Sequence, residues 1–137
     1  MSEIINDKLM VSVYQNFKTN LGDSYLLDIL QEIKSDRYQD DINSIRYALH
    51  KGKDKTADEI KSRLLAFTTS GTFGESRTKA NLNSYSQIIG LDFDHIPVPE
   101  LNTLVTLINQ CSYTFASFIS PSGEGIKVFI KTNSNAN

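Results

Sequence analysis

Strand and helix signals alternate in a fixed order through the second half of the chain. Strands are predicted over residues 87–94, 113–120 and 126–132, and an amphipathic helix is predicted over residues 99–109. A short Ser/Gly turn separates the last two strands, which predicts a hairpin. This order of elements predicts an α+β fold, in which helices pack on one face of a mainly antiparallel sheet.

The first half of the chain is predicted to be richer in helix than in strand. Its helices are recognised by apolar residues at helical spacing and by polar residues that suit a helix start. The elements expected in order are a strand over residues 8–14, a turn at Gly22 and Asp23, a helix over residues 24–33 capped by Ser24, a helix over residues 41–50, a helix opened by Thr56 and Glu59, a short strand over residues 67–69, and a loop that carries Arg77 and Lys79.

The length of 137 residues suits one domain, expected over residues 1–132, with residues 133–137 as a frayed polar tail. A hydrophobic content of 39% and a charged content of 22% are those of a globular protein, and they exclude a disordered or fibrous class. Because the chain stops directly after a predicted strand, we expect it to be a fragment of a longer protein.

The single cysteine, Cys111, excludes an intramolecular disulfide and favours a reducing compartment, so a cytoplasmic location is expected. We expect Cys111 to be a small buried residue. The sequence has no segment of the length and apolar character of a signal peptide or a membrane helix, so no membrane association is predicted. The net charge of −2 argues against a uniformly basic nucleic-acid coat but allows a local basic face.

Two acids, Asp92 and Asp94, stand at the end of the predicted strand IIGLDFD. Because side chains alternate across a strand, both acids share one face, and the apolar residues of the other face are expected to point into the core: Ile89, Leu91 and Phe93. Carboxylates on Cα atoms about 6.7 Å apart can converge on one hard cation, Mg²⁺ or Mn²⁺. The alternative is that the strand simply ends in a solvated turn.

The last predicted strand places Lys127, Phe129 and Lys131 on one face. Ammonium groups neutralise phosphate oxygens, and an aromatic ring can stack on a nucleobase. If the apolar faces of both strands pack on the helices, this stripe and the acid pair share the open face of one sheet. The turn before it offers hydroxyls and amides that suit an anion: Ser120, Ser122, Gly123 and Gly125. The alternative for the stripe is the solvent-exposed side of an antiparallel sheet, and the alternative for the turn is an ordinary hairpin turn.

The segments IIGLDFDHI and TFASFISPSGEGIKVFIK resemble the VirE N-terminal domain family, which is similar to the archaeo-eukaryotic primase and primase-polymerase superfamily. The resemblance implies an RRM-like fold, with Asp92 and Asp94 as catalytic metal ligands. It places Lys127 where the family's phosphate-contacting motif normally has histidine, whose hydrogen bonding lysine cannot copy. A third carboxylate completes the metal site in active members, and no acid follows Lys131, so catalysis stays open.

Three functions are therefore expected as alternatives. The first, which the resemblance implies, is a nucleotidyltransferase module that binds a divalent metal and nucleotide phosphates, incomplete as given. The second is a non-catalytic domain of a mobile-element replication protein that binds single-stranded DNA or RNA, or a protein partner. In the third, the open sheet face docks a downstream helicase-like domain, with exposed apolar area around Phe118 and Phe129.

Overall fold

A computed structural model describes residues 9–135, and these divide into two compact units, one ending at Ser86 and the other beginning at Gln87. The elements of the first unit are β1 (Met10–Gln15), β2 (Thr19–Tyr25), α1 (Leu26–Lys34), α2 (Gln39–His50), α3 (Asp54–Ser62), β3 (Ala66–Phe67), β4 (Gly71–Phe73) and β5 (Leu82–Tyr85). Those of the second unit are β6 (Ile88–Phe93), α4 (Val98–Gln110), β7 (Thr114–Ile119) and β8 (Ile126–Lys131). Single turns of 3₁₀ helix occupy Asp36–Tyr38 and Lys79–Asn81.

The expected α+β class with antiparallel pairing is confirmed. The strands form three sheets, with the orders β2-β1-β3, β4-β5 and β6-β8-β7, and every pair of neighbours is antiparallel. The RRM-like layout and the single domain over residues 1–132 stay predictions. Among the described residues, every helix is too short or too polar to cross a membrane.

The hairpin of β1 and β2 corrects the first part of the prediction. Residues Thr19–Tyr25 form a strand where a turn at Gly22 and Asp23 was expected, and the chain reverses instead at Asn16 and Phe17, which have φ of 53° and 60°. The segment TNLGDSY is too polar to signal a strand, because Gly, Asp and Asn are depleted in strands. Lys8, the first residue of the predicted strand, lies outside the described residues, as do residues 136–137 of the predicted tail.

A buried serine on β1 explains why the polar segment pairs there. Ser12 is fully buried, and its Oγ donates a 2.8 Å hydrogen bond to Asp23 Oδ1 on β2. The same Oγ accepts a 2.9 Å hydrogen bond from the backbone N–H of Phe73. Because a buried hydroxyl is costly without partners, these bonds stabilise a strand that has little apolar surface of its own.

The helices of the first unit lie where the periodicity predicts them, but their starts differ. Tyr25 is the N-cap of α1 and Ser24 belongs to β2, so the predicted Ser24 cap is wrong. Helix α3 begins at Asp54, two residues before Thr56, so the predicted Thr56 and Glu59 capping box is also wrong. Neither helix has a side-chain hydrogen bond at its N-cap. Tertiary packing therefore outweighs the local capping signals.

Helices α2 and α3 pack against each other through a small apolar core. Ile45, Ala48 and Ala57 are buried in it, and the partly buried side chains around them are Leu49, Ile60 and Leu64. The two alanines allow the helices to approach closely. The strands that follow differ from the prediction, because β3 is short and β4 pairs with β5 across the polar segment that was expected to be a loop.

The second unit matches the predicted elements to within one or two residues. Strand β8 is central, β6 and β7 flank it, and α4 connects β6 to β7. Pro97 is the N-cap of α4, a position where a missing amide donor has little cost. The apolar face of α4 is half-buried, as suits the predicted amphipathic helix, and it consists of Leu101, Leu104, Val105 and Ile108. Cys111, expected to be buried, is exposed just after α4, so that prediction is wrong.

Candidate functional site

The predicted acidic and basic side chains lie on the paired strands β6 and β8. Asp92 lies directly opposite Lys127, and Gly90 lies opposite Phe129. Lys127 Nζ donates a 2.6 Å hydrogen bond to Asp92 Oδ1. We call the side of the sheet that carries this pair the Asp92 face. The sharing of a face follows from the alternation of strand side chains, as the sequence predicts.

The ion pair changes what each of its members can bind. The side chain of Asp92 is 57% exposed and that of Lys127 is 33% exposed, so solvent screens their attraction and the pair is weak. A cation bound through Asp92 Oδ1 would displace Lys127 Nζ, and a phosphate bound by Lys127 would compete with Asp92. Each residue therefore offsets part of the charge of the other, and a ligand of either one has to compete with the existing bond.

Asp94 lies beyond the end of β6 and leans toward the Ser/Gly turn. A Cβ added to Gly125 would come within 3.1 Å of Asp94 Oδ1 and 3.2 Å of Ser120 Oγ, so both atoms lie above this glycine. Asp94 belongs neither to the ion pair of Lys127 with Asp92 nor to that of Arg37 with Glu32. The described residues contain no group of three or more His, Cys, Asp or Glu side chains arranged to hold a metal. Mg²⁺ or Mn²⁺ at Asp92 and Asp94 alone stays a prediction.

The polar groups of the Ser/Gly turn bond to one another. Ser120, only 6% exposed, shares a 2.9 Å hydrogen bond between its hydroxyl and that of Ser122. The Gly123 N–H donates to the Ser120 carbonyl at 2.9 Å, and the Glu124 N–H donates to Ser122 Oγ at 3.3 Å. An anion held here would have to compete with these internal bonds. The anion-holding role predicted for the turn stays a prediction.

Phe129 and Lys131, the rest of the predicted stripe, are less accessible than a binding platform requires. Phe129 is 4% exposed, and its ring meets the ring of Phe118 edge to face at a centroid distance of 5.7 Å. Lys131 is half-buried opposite Ile88. A base could stack on Phe129 only after the groups that cover the ring had moved. The exposed apolar area expected around Phe118 and Phe129 is likewise not found.

The exposed apolar surface lies on the opposite side of β6. Ile89, Leu91 and Phe93 are 43%, 40% and 40% exposed, although the sequence predicts them to point into the core. We call these three residues the Leu91 row. Alternation along the strand places them on the face opposite Asp92. The sequence pattern could not reveal their exposure, because apolar residues at every second position read the same in a central strand and at an edge.

The position of α4 explains why the Leu91 row is only partly covered. The helix packs against β7, where Ser117 Oγ donates a 2.6 Å hydrogen bond to Asn109 Oδ1. Ser117 pairs with Val128, which pairs with Leu91, so α4 lies on the same face as the row. It covers the β7 side of that face, and β6 lies at the other edge of the three-stranded sheet. The row is therefore only partly shielded from water.

The outer edge of β6 presents backbone groups as well. Within residues 9–135, β6 has one strand neighbour, β8. The N–H of Thr132 donates to the carbonyl of Gln87 at 2.8 Å, and the N–H of Lys131 donates to Tyr113 on the β7 side at 3.2 Å. Because bonding alternates along an antiparallel pair, the N–H and C=O groups of Gly90 and Asp92 point away from β8. They form an edge to which another strand can bond.

Comparison with known proteins gives one result. A family model described as BT4734-like, N-terminal domain, matches residues 59–137. No curated protein and no solved structure matches the chain significantly. The family match corrects the resemblance to the VirE N-terminal domain family and to the primase superfamily. The primase-like, nucleotidyltransferase and mobile-element replication roles that depended on this resemblance are therefore withdrawn.

Proposed function

The chain belongs to the BT4734-like N-terminal domain family, and we propose that it is a non-catalytic domain that binds a protein partner at the edge strand β6. The observation that carries the proposal is the exposure of the Leu91 row, in which three large apolar side chains lie in line at 40% to 43% exposure. Single exposed apolar residues are ordinary on protein surfaces. A row of three beside an open sheet edge is the kind of surface that protein partners cover.

The size of this surface is sufficient for specific but modest binding. The exposed parts of the three side chains amount to about 200 Å² of apolar area, and removing that area from water would contribute roughly 5 kcal/mol at about 25 cal/mol per Å². Much of this gain is offset by the loss of translational and rotational freedom on association. The row alone therefore supports a weak complex, and additional contacts are needed for a tight one.

A protein partner is favoured over a nucleotide or a nucleic acid by the state of the basic residues. Lys127 is bonded to Asp92, and the ring of Phe129 is covered. The formal net charge of −2 adds no general attraction for phosphates. The apolar side chains of the Leu91 row offer nothing to a phosphate but suit the apolar side chains of a protein.

The proposal is tested by selecting peptides from a random library of 12 residues displayed on phage, with the intact chain as bait. We expect enriched peptides that bind the chain, and we expect L91D to weaken their binding at least tenfold. The matched control is L21D, because Leu21 on β2 is 52% exposed and lies in the first unit. L21D is expected to leave binding unchanged.

Two results would contradict peptide binding at the Leu91 row. One is a selection that enriches no binding peptide. The other is a set of enriched peptides that bind L91D as well as the original chain. Circular dichroism and urea unfolding of both variants check that a loss of binding is not a loss of folding. If single-stranded DNA competes with the peptides and abolishes their binding, a nucleic-acid site is favoured instead.

A further inference from the structure

We infer that the partner segment adds to β6 as an antiparallel fourth strand, with apolar side chains on the Leu91 row and Lys or Arg side chains on the Asp92 face. The inference rests on the proposed function and names the chemistry of its partner. It follows from the backbone groups of the edge, the charges at its end and the alternation of side chains in a strand.

The backbone of β6 favours an extended partner over a helical one. The N–H and C=O groups of Gly90 and Asp92 point outward, as the alternation of the β6 and β8 ladder requires. An added strand pairs with these groups through its own main chain, whereas a helix has no free main-chain groups along its length. Gly90 has no side chain to obstruct the approach on the Asp92 face. An extended segment is therefore the occupant that fits the edge.

The charges at the end of β6 favour a basic partner. Asp92 is 57% exposed and its bond to Lys127 is made through Oδ1. Asp94 and Glu124 are exposed, and a 2.8 Å hydrogen bond from the Ile96 N–H to the Glu124 carbonyl holds Glu124 beside this end of the strand. Asp92, Asp94 and Glu124 thus lie near this end of β6 together with Lys127, whereas Lys131 lies toward the other end of the same face, opposite Ile88. A Lys or Arg opposite Asp92 on an added strand would have its Cβ about 5 Å from that of Asp92, within reach of the carboxylate.

Alternation fixes which residues of the partner face which side. Partner residues opposite Gly90 and Asp92 have their side chains on the Asp92 face, and those opposite Ile89, Leu91 and Phe93 have their side chains against the Leu91 row. In an antiparallel pair, the residues opposite Gly90 and Asp92 also make the main-chain hydrogen bonds. The basic residues of the partner therefore carry the bonding amides, and the apolar residues do not.

A second copy of the chain fits this edge less well. Two β6 strands related by a two-fold axis at Gly90 would place Ile88 opposite Asp92, so no cation would meet the carboxylate. The shared surface would be two short strands and two apolar rows, well below the roughly 1,200 Å² of a standard stable interface. Sedimentation of the chain alone at high concentration checks this alternative. A dimer that L91D dissociates would overturn the inference.

The direct test measures the binding of two labelled six-residue peptides by fluorescence anisotropy. One alternates Lys with Val and the other alternates Glu with Val, so they share their apolar side chains and carry polar side chains of opposite charge. We expect the Lys peptide to bind at least tenfold more tightly than the Glu peptide, and we expect this preference to shrink in high salt. D94N is expected to reduce the preference at least threefold. Equal binding of the two peptides would overturn the inference.

N-methylation of the Lys peptide tests the strand geometry without altering the protein. Methyl groups on the Lys amides remove the donors that face β6, and we expect them to abolish binding. Methyl groups on the Val amides point toward solvent, and we expect them to have less than a threefold effect. Equal losses from the two sets would overturn strand addition. If neither peptide binds while library peptides bind in a Leu91-dependent way, the inference fails and the proposed function stands.

Discussion

Lys127 Nζ and Asp92 Oδ1 are joined by a 2.6 Å hydrogen bond between directly opposed positions of β8 and β6. The ammonium group that the sequence assigns to phosphate is thus engaged by a carboxylate that the sequence assigns to a metal. The pair joins β6 to β8 on the Asp92 face but does not bury either side chain completely. Both side chains remain partly exposed, so the face retains a carboxylate that a basic partner can reach.

The coupling between Asp92 and Lys127 is expected to be small. We predict an interaction free energy of roughly 0.2 to 1 kcal/mol, because exposed ion pairs lose most of their attraction to solvent. A double-mutant cycle with D92A, K127A and the double variant, followed by urea unfolding, measures this value. A coupling above about 2 kcal/mol would contradict the description of the pair as weak and screened.

Gly125 is expected to tolerate no side chain. A Cβ at this position would lie 2.6 Å from the carbonyl oxygen of Phe93, which is backbone and cannot move aside easily. We therefore predict that G125A lowers the free energy of unfolding by about 1 to 3 kcal/mol.

The matched control for this prediction is G52A. Gly52 has φ of +69° and no atom within 4 Å of an added Cβ, so only its backbone conformation opposes alanine. Urea unfolding of both variants compares the two effects. A smaller loss in G125A than in G52A would show that the contact with Phe93 relaxes without cost.

The hydroxyl of Tyr14 is expected to contribute nothing to stability. Tyr14 is 5% exposed, and its Oη has no hydrogen-bond partner among the described residues. The guanidinium of Arg77 lies over the ring at 4.8 Å, a contact that phenylalanine preserves. We predict that Y14F leaves the free energy of unfolding unchanged or raises it by up to about 1 kcal/mol, because a buried unpaired hydroxyl is unfavourable. Thermal unfolding checks the sign, and a clear loss would contradict it.

Tyr38 is expected to make stability depend on pH in the alkaline range. Burial raises the pKa of Tyr38 above its ordinary value of 10.0, the nearby Arg37 guanidinium lowers it, and the Glu32 carboxylate raises it. The folded chain therefore holds this proton more tightly than the unfolded chain, and the stability due to Tyr38 is complete below pH 10. It is lost as the pH rises from 10 through the folded pKa.

Urea unfolding between pH 8 and pH 11 measures this dependence against Y38F. The Y38F variant has no phenol to ionise, so the difference in stability between the two chains should be constant up to about pH 9 and should change above pH 10. Other tyrosines titrate in both chains and cancel in the comparison. A difference that stays constant up to pH 11 would contradict a raised pKa at Tyr38.

The predictions from sequence failed where polar segments fold through distant contacts. Strand β2 contains Gly22 and Asp23, which locally favour a turn, yet Asp23 accepts a hydrogen bond from the buried Ser12. The predicted Ser24 cap failed for the same reason, since Ser24 pairs with Val11 in the β1 and β2 ladder. In each case a tertiary hydrogen bond or strand pairing outweighed a local preference worth about 1 kcal/mol.

The sequence by itself determined the elements of the second unit and the common face of Asp92 and Lys127. Both depend on short-range rules, namely the two-residue period of a strand and the 3.6-residue period of a helix. Only the tertiary structure decided that β6 lies at an edge, that α4 covers β7, and that the Leu91 row remains exposed. The physical reason is that strand order and helix placement depend on contacts between residues far apart in the chain, which the local alternation of apolar and polar residues does not encode.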